Sequence, residues 1–233
     1  MKTKHFIYIL FIFLFNVLIG CSGNNHHSKL SRISHESFLL PKLLNSERIK
    51  IKFGNYNVKV LNQNSKLRIS NLYSLHDGKK ITRTLAIVKF TETIDSTFIK
   101  EHLKILSGQS IGETFKKNQW RIEKKSLYFG EILPQTDFTE TYKIMGNINP
   151  SKLAIYIYEF NITKDNNSHQ YAIISEIYHP EYLTFDNLRK INKNADKHLE
   201  KTNFIQELLE LAENKMKINY NKLQTDHTNI YKK

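Results

Sequence analysis

Residues 67–90 read LRISNLYSLHDGKKITRTLAIVKF, and two β-prone runs in them, Leu67–Leu75 and Lys80–Phe90, flank His76-Asp77-Gly78-Lys79. An Asp-Gly pair between such runs marks a tight hairpin, because both central residues of the favoured turn take positive φ. Within the second run, Leu85–Val88 is apolar at four consecutive positions. A strand with one wet face alternates between apolar and polar residues, whereas a strand apolar on both sides must be covered on both. The stretch therefore predicts an antiparallel hairpin whose second strand lies centrally in a sheet.

Working outward, Tyr56–Leu61 places Tyr56, Val58 and Val60 on one face and extends the hairpin to a three- or four-stranded meander. On this reading the folded region begins near Phe38 and runs first through strands. After the hairpin, Asp95 or Ser96 is the N-cap of a helix with Ile99, Leu103 and Leu106 as its buried stripe. Ser110-Ile111-Gly112-Glu113 matches a capping box and starts a short second helix through Phe115. Trp120–Lys124 and Leu127–Leu133 read as a further strand pair, and the turn-rich segment 134–150 as a long loop. A second hairpin joins Leu153–Ile162 to Tyr171–Tyr178 through the polar stretch from Thr163 to Gln170.

Two amphipathic helices end the chain. The first runs over about Asp186–Leu199, with Leu188, Ile191, Ala195 and Leu199 on one stripe. The second, Phe204–Leu223, carries Ile205, Leu208, Ala212, Met216 and Tyr220, and a Glu213–Lys217 pair at i,i+4. Strands, helices, strands, helices in segregated runs predict an α+β fold, an antiparallel sheet packed against amphipathic helices. We assign one such domain to residues 38–233, with a subdomain boundary falling near 134–150. Each half reads as strands followed by helix, without any residue-level repeat.

The N-terminus carries an address. Lys2 and Lys4 precede Phe6–Ile19, an apolar run broken only by Asn16 that ends at Gly20-Cys21. That run is short for a bilayer span of roughly 20 residues and suits a cleaved export signal; an N-terminal transmembrane helix is the alternative. The junction Leu18-Ile19-Gly20-Cys21 resembles the lipobox of bacterial lipoproteins. The resemblance covers the signal alone, and implies that residues 1–20 are removed and that Cys21 receives a diacylglycerol and often an N-acyl chain such as palmitate. Stable attachment requires at least two acyl chains, which this chemistry supplies. Ser22 rather than Asp after the cysteine implies, by similarity to sorting in many diderm lipoproteins, the outer membrane facing the periplasm. In a Gram-positive host the same lipid would hold the chain on the outer face of its membrane.

Cys21 is the only cysteine, so lipidation leaves the exported chain no disulfide and no thiolate for zinc or nucleophilic catalysis. Ser22–Ser37 is polar and aperiodic, a flexible tether that fully extended reaches on the order of 50 Å. His26-His27 lies in it without a third ligand in view, so no metal site and no cofactor are expected. Formal net charge is +13, and loss of Lys2 and Lys4 lowers it to +11. Such an excess suits an anionic envelope polymer or an envelope protein as partner, alongside the membrane itself. It is also what AT-rich coding produces, since 29 of the 35 basic residues are Lys. No Arg-rich or Gly-aromatic segment of the nucleic-acid-binding kind occurs.

The sequence contains no Gly-x-Ser-x-Gly elbow, His-Glu-x-x-His helix, dinucleotide or Walker loop, and no Ser-x-x-Lys nucleophile. Three residues are catalytic candidates. Glu159 and Glu176 interrupt the two apolar strands of the second hairpin, and a register pairing positions that sum to 335 would set them face to face and raise one carboxyl pKa. Each carboxylate has a plainer reading as a solvent-facing residue or the partner of a lysine. His179, before Pro180, is placed for general-base chemistry or for an ordinary turn. Tyr156, Tyr158 and Phe160 share one face, as a core wall or as a sugar-stacking platform if exposed. The expectation is a non-enzymatic binding or scaffolding lipoprotein of the cell envelope. A glycan or lipid hydrolase using Glu159, Glu176 and His179, or a carrier of an apolar ligand, are the alternatives.

Overall fold

The computed structural model describes residues 37–133, 138–146, 148, 152–192 and 205–217. Six strands form one antiparallel sheet: β1 (Asn57–Gln63), β2 (Leu67–His76), β3 (Lys79–Phe90), β4 (Arg121–Ile132), β5 (Leu153–Lys164) and β6 (Asn167–Tyr178). Their spatial order is β1-β2-β3-β6-β5-β4. Two three-stranded meanders are thus joined along β3 and β6, in register from Thr84↔Tyr178 to Phe90↔Ala172. The α+β class and its antiparallel sheet are as expected, and β3 is central.

Both faces of the sheet are covered. One face packs its aromatic and aliphatic side chains, among them Val88, Phe90, Tyr156, Tyr158, Phe160 and Tyr171, under α1 (Asn45–Phe53), α2 (Ile99–Leu106), α3 (Ile111–Lys117) and α5 (Phe185–Ile191). The other face is aliphatic, with Leu67, Ile69, Leu85, Ile87, Ile155, Ile157 and Ile177 under α4 (Thr139–Ile144) and the helical residues 205–217. Leu85 and Ile87 belong to one layer and Ala86 and Val88 to the other, which is why four consecutive apolar residues are needed there.

Several expectations are corrected. The fold opens on a helix, α1, rather than on strands. Glu47 accepts from the Leu44 amide at 2.9 Å, and Gly54, at φ 79°, closes the far end by donating to the Lys50 carbonyl. These local bonds close both ends of the helix, which buries Ile49 and leaves Ile51 exposed. In α2 the expected stripe holds only at Leu106, which packs partly buried against the core. Ile99 and Leu103 are exposed, and the buried face is Glu101, His102 and Ile105. Trp120 Nε1 donates to Glu101 at 3.4 Å and His102 Nδ1 meets the Tyr171 hydroxyl at 2.9 Å, so polar residues face inward because each finds a partner there.

Asp95 caps the 3₁₀ turn Ser96–Phe98 ahead of α2, through its side chain and Thr97 N at 2.8 Å. The helix after Ser110 forms, without a bond from that side chain. Trp120–Lys124 and Leu127–Leu133 are not two strands but one, β4, bulged between Ser126 and Tyr128. The segment read as a long loop contains α4. The polar stretch from Thr163 to Gln170 is mostly strand, and the turn is only Asp165-Asn166, with φ of 50° and 65°. It matches the Asp77-Gly78 turn, with φ of 49° and 73°, so the two halves use the same two-residue hairpin.

Of the two closing helices, the first spans Phe185–Ile191, capped by Thr184, and residues 205–217 of the second are helical. Ala195, Leu199 and Tyr220 lie outside the described residues. Glu213 pairs with Lys217 as expected, at 4.0 Å, but it does more than that. It is buried and accepts from the amides of Glu140 and Thr141, at 2.5 and 3.1 Å, capping α4 from across the layer. Cys21, the lipobox and residues 22–36 of the tether, His26-His27 included, also lie outside the described residues, while Ser37 opens the 3₁₀ turn Ser37–Leu39.

Candidate functional site

The β5–β6 register sets the geometry of the two candidate glutamates. Tyr156 pairs with Glu176 and Glu159 with Ile173, so paired positions sum to 332 and not to 335. The odd shift sends the two carboxylates to opposite faces of the sheet. Glu159 has the plain role of a lysine partner, 3.2 Å from Lys125 on the adjacent β4. His179 is buried near α4, where Arg83 O accepts from its backbone amide and the Met145 carbonyl accepts from its ring. Its ring Nδ1 accepts from the Glu181 amide, closing the turn at Pro180. Burial, and then the Arg83 charge, hold its pKa below the ordinary histidine range, against an upward pull from Glu181. The three candidates therefore do not converge.

Glu176 is a different case. It sits mid-sheet between Ala86 of β3 and Tyr156 of β5, 4% exposed, on the aromatic face. Asn45, at the start of α1, donates from Nδ2 to Glu176 Oε1 at 3.0 Å and to Thr84 Oγ1 at 3.1 Å. The Tyr182 hydroxyl donates to Asn45 Oδ1 at 2.7 Å, which fixes the amide orientation. From the other side the Tyr178 hydroxyl donates to Glu176 Oε2 at 2.7 Å. Burial first, and then the Glu176 charge, push the Tyr158 and Tyr178 phenols well above their ordinary pKa. Both phenols stay protonated. A buried charge is tolerable only with such partners, and this carboxylate has them from α1 and β6 at once.

Two basic side chains share this end of the face. Arg48 of α1 is 5% exposed and donates to the Phe38 and Pro41 carbonyls at 2.5 and 3.3 Å. Lys124 of β4 lies opposite Phe160, its ammonium 4.7 Å from the centre of the Tyr158 ring. Burial lowers the Lys124 pKa, and the nearby Glu176 offsets part of that. Among the described residues no carboxylate lies within ion-pair distance of Lys124.

These groups line the inner wall of a cleft of about 560 Å³ between the sheet and helices α1 and α5. Glu176, Tyr156, Tyr178, Arg48 and Lys124 are its polar floor, and Leu44, Trp120, Ile122, Leu183, Leu188 and Ile191 its apolar sides. A smaller cavity of about 70 Å³ lies beyond Leu44, Lys124 and Glu176, which border both. The larger volume falls within the roughly 300–1,000 Å³ typical of small-molecule sites, as does the mix of apolar walls with a few convergent polar groups. Tyr156, Tyr158 and Phe160 are buried, forming the core wall behind the cleft rather than an open stacking platform.

Sequence reading found Glu176 but not Asn45, Arg48 or Lys124. A usable signal existed for Lys124, which shares strand parity with Ile122 and so follows an apolar position onto the covered face. None existed for Asn45, whose role depends on the placement of a helix against a strand 131 residues away. Among the described residues no group of three or more His, Cys, Asp or Glu could hold a metal ion. No protein-family model matches the chain, and no curated protein matches it either.

Proposed function

We propose that this chain is a lipid-anchored protein of the cell envelope that works by binding rather than catalysis, with the cleft between the sheet and helices α1 and α5 as its binding site. The anchor rests on Lys2, Lys4, the apolar run Phe6–Ile19 and the lipobox ending at Cys21. By the rule for Ser22, its location is the periplasmic face of the outer membrane in a diderm host. The cleft is the observation that carries the binding role. Binding is favoured over hydrolysis of glycan or lipid because Glu159 stands on the opposite face from Glu176, and His179 is occupied in a turn. Glu176 itself is held by neutral donors, Asn45 and Tyr178 among them, an arrangement suited to a structural anchor.

Two measurements test this reading. Metabolic labelling with radioactive palmitate marks the wild-type protein and not Cys21→Ser, which leaves the membrane fraction; an unlabelled wild type rules out the anchor. Denaturing mass spectrometry of extracts from protein purified out of envelopes yields a small molecule near one per chain. Ile191→Trp, which fills the cleft, loses it. Wild-type protein that carries nothing, and acquires nothing from an envelope extract, overturns the binding role.

A further inference from the structure

Resting on the cleft as a binding site, we propose that its ligand is a single-chain anionic amphiphile, a carboxylate or phosphate head on an aliphatic tail, with the head held at Lys124 and the tail lying along α5. Charge complementarity identifies the head. At the floor of the cleft two cations, Lys124 and Arg48, face one anion, Glu176, and over the whole lining five basic side chains stand against three acidic ones, Glu47, Glu123 and Glu176, so the site carries an excess of positive charge. Glu176 does not offset it by direct pairing. Its oxygens are taken by Asn45 and Tyr178, and Arg48 is bonded to main-chain carbonyls.

Lys124 has the Tyr158 ring beside its ammonium and no ion-pair partner among the described residues. A half-buried ammonium without an anionic partner is costly, and a bound anion beside it gains a charge-assisted hydrogen bond in a poorly hydrated setting. Basic side chains also outnumber acidic ones around the mouth, by a single charge, where Lys42, Arg121 and Glu123 are exposed and Lys116 is paired with Glu47. The tail follows from the apolar side of the cleft, where Leu183, Leu188 and Ile191 form one wall and Trp120 and Ile122 the other. Polar groups crowd the floor and apolar ones the sides, which is the division an amphiphile presents.

Trp120, the only tryptophan, lines the cleft and reports on it directly. The test titrates the purified full-length protein, reconstituted on phosphatidylcholine vesicles, with decanoate, decyl phosphate, 1-decanol and decylammonium while following Trp120 fluorescence. At least one of the two anions binds at least tenfold more tightly than the alcohol, and decylammonium does not bind. Which anion binds more tightly distinguishes a fatty-acid-like from a phospholipid-like source. Lys124→Met, close in shape and apolar, brings the affinity for the preferred anion down to that for the alcohol, while Lys124→Arg retains the preference. Equal binding of decanoate, decyl phosphate and decanol overturns the anionic head but leaves the cleft as a binding site. Absence of binding by all four overturns the amphiphile, and the cleft's own test is then the envelope extract. The wild-type comparison decides the head-group question even if Lys124→Met fails to fold.

Discussion

His102 and His179 are both buried, and both are held below the ordinary histidine pKa of 6.5, in each case chiefly by burial. The folded state therefore favours the neutral ring, whereas the unfolded state binds a proton near pH 6.5. Their contribution to stability is complete above that value and is lost as pH falls from about 6.5 through the lower folded-state values. Thermal unfolding followed from pH 7.5 to 5 is expected to show Tm declining below pH 6.5, and a shallower decline in the double variant His102→Gln, His179→Gln. An unchanged slope in that variant would assign the effect to other groups. At this scale the sequence was legible only in part. Glu176 announces itself by interrupting an apolar strand, yet its donors, Asn45 and Tyr182, come from elements that only tertiary structure brings together. Glu213 was read only in part for the same reason, because its i,i+4 lysine is visible in sequence and the α4 amides it caps are not.

Elements with a strong local instruction were the easiest to read. Asp77-Gly78 specifies its turn by backbone conformation alone, and Gly78 sits at φ 73° with nothing within 4 Å of where a Cβ would stand. Substitution there meets backbone strain rather than a steric clash. Gly78→Val is expected to cost about 1–2 kcal/mol, measurable by urea denaturation, and more than the same substitution at an exposed strand position such as Lys80. An equal cost at both sites would mean that the turn imposes no left-handed requirement. The Asp165-Asn166 turn escaped notice because Asn-for-Gly at the second position is a weaker signal, buried in a polar run that continues the strands. Helix α2 failed differently. Its periodicity was real but pointed outward, since Phe98, His102 and Ile105 outcompete Ile99 and Leu103 for the sheet by packing around Tyr171 and Trp120.

Across the whole molecule, the three-layer arrangement makes the aliphatic face depend on residues far along the chain. Ile205, Leu208, Leu209, Ala212 and Met216 are buried against it. Four of these are large, and burying each contributes roughly 1.5–3 kcal/mol, which together rivals the roughly 5–15 kcal/mol net stability of an ordinary domain. A chain ended after Asn192 is expected to keep strand content by circular dichroism but to lose cooperative thermal unfolding and bind a hydrophobic dye. Native-like cooperativity in that truncation would show that the second helical layer is dispensable. The class of the fold was legible because segregated strand and helix runs admit few layer arrangements, but the joining of two meanders along β3 and β6 was not. Nothing local in either strand names the other as its neighbour.

That seam governs the order in which the molecule can assemble. Every other ladder links strands consecutive in the chain, and three of these, β1–β2, β2–β3 and β5–β6, are tight hairpins of the kind that close on the microsecond scale. The β3–β6 ladder alone must gather segments roughly 90 residues apart, and loop closure over that span is paid before any of its contacts form. Each meander can thus be formed early and wait, its inner edge open to any passing strand. Under the export proposed above, β3 would emerge well ahead of β6, and the interval between them is when an exposed central edge most needs protection.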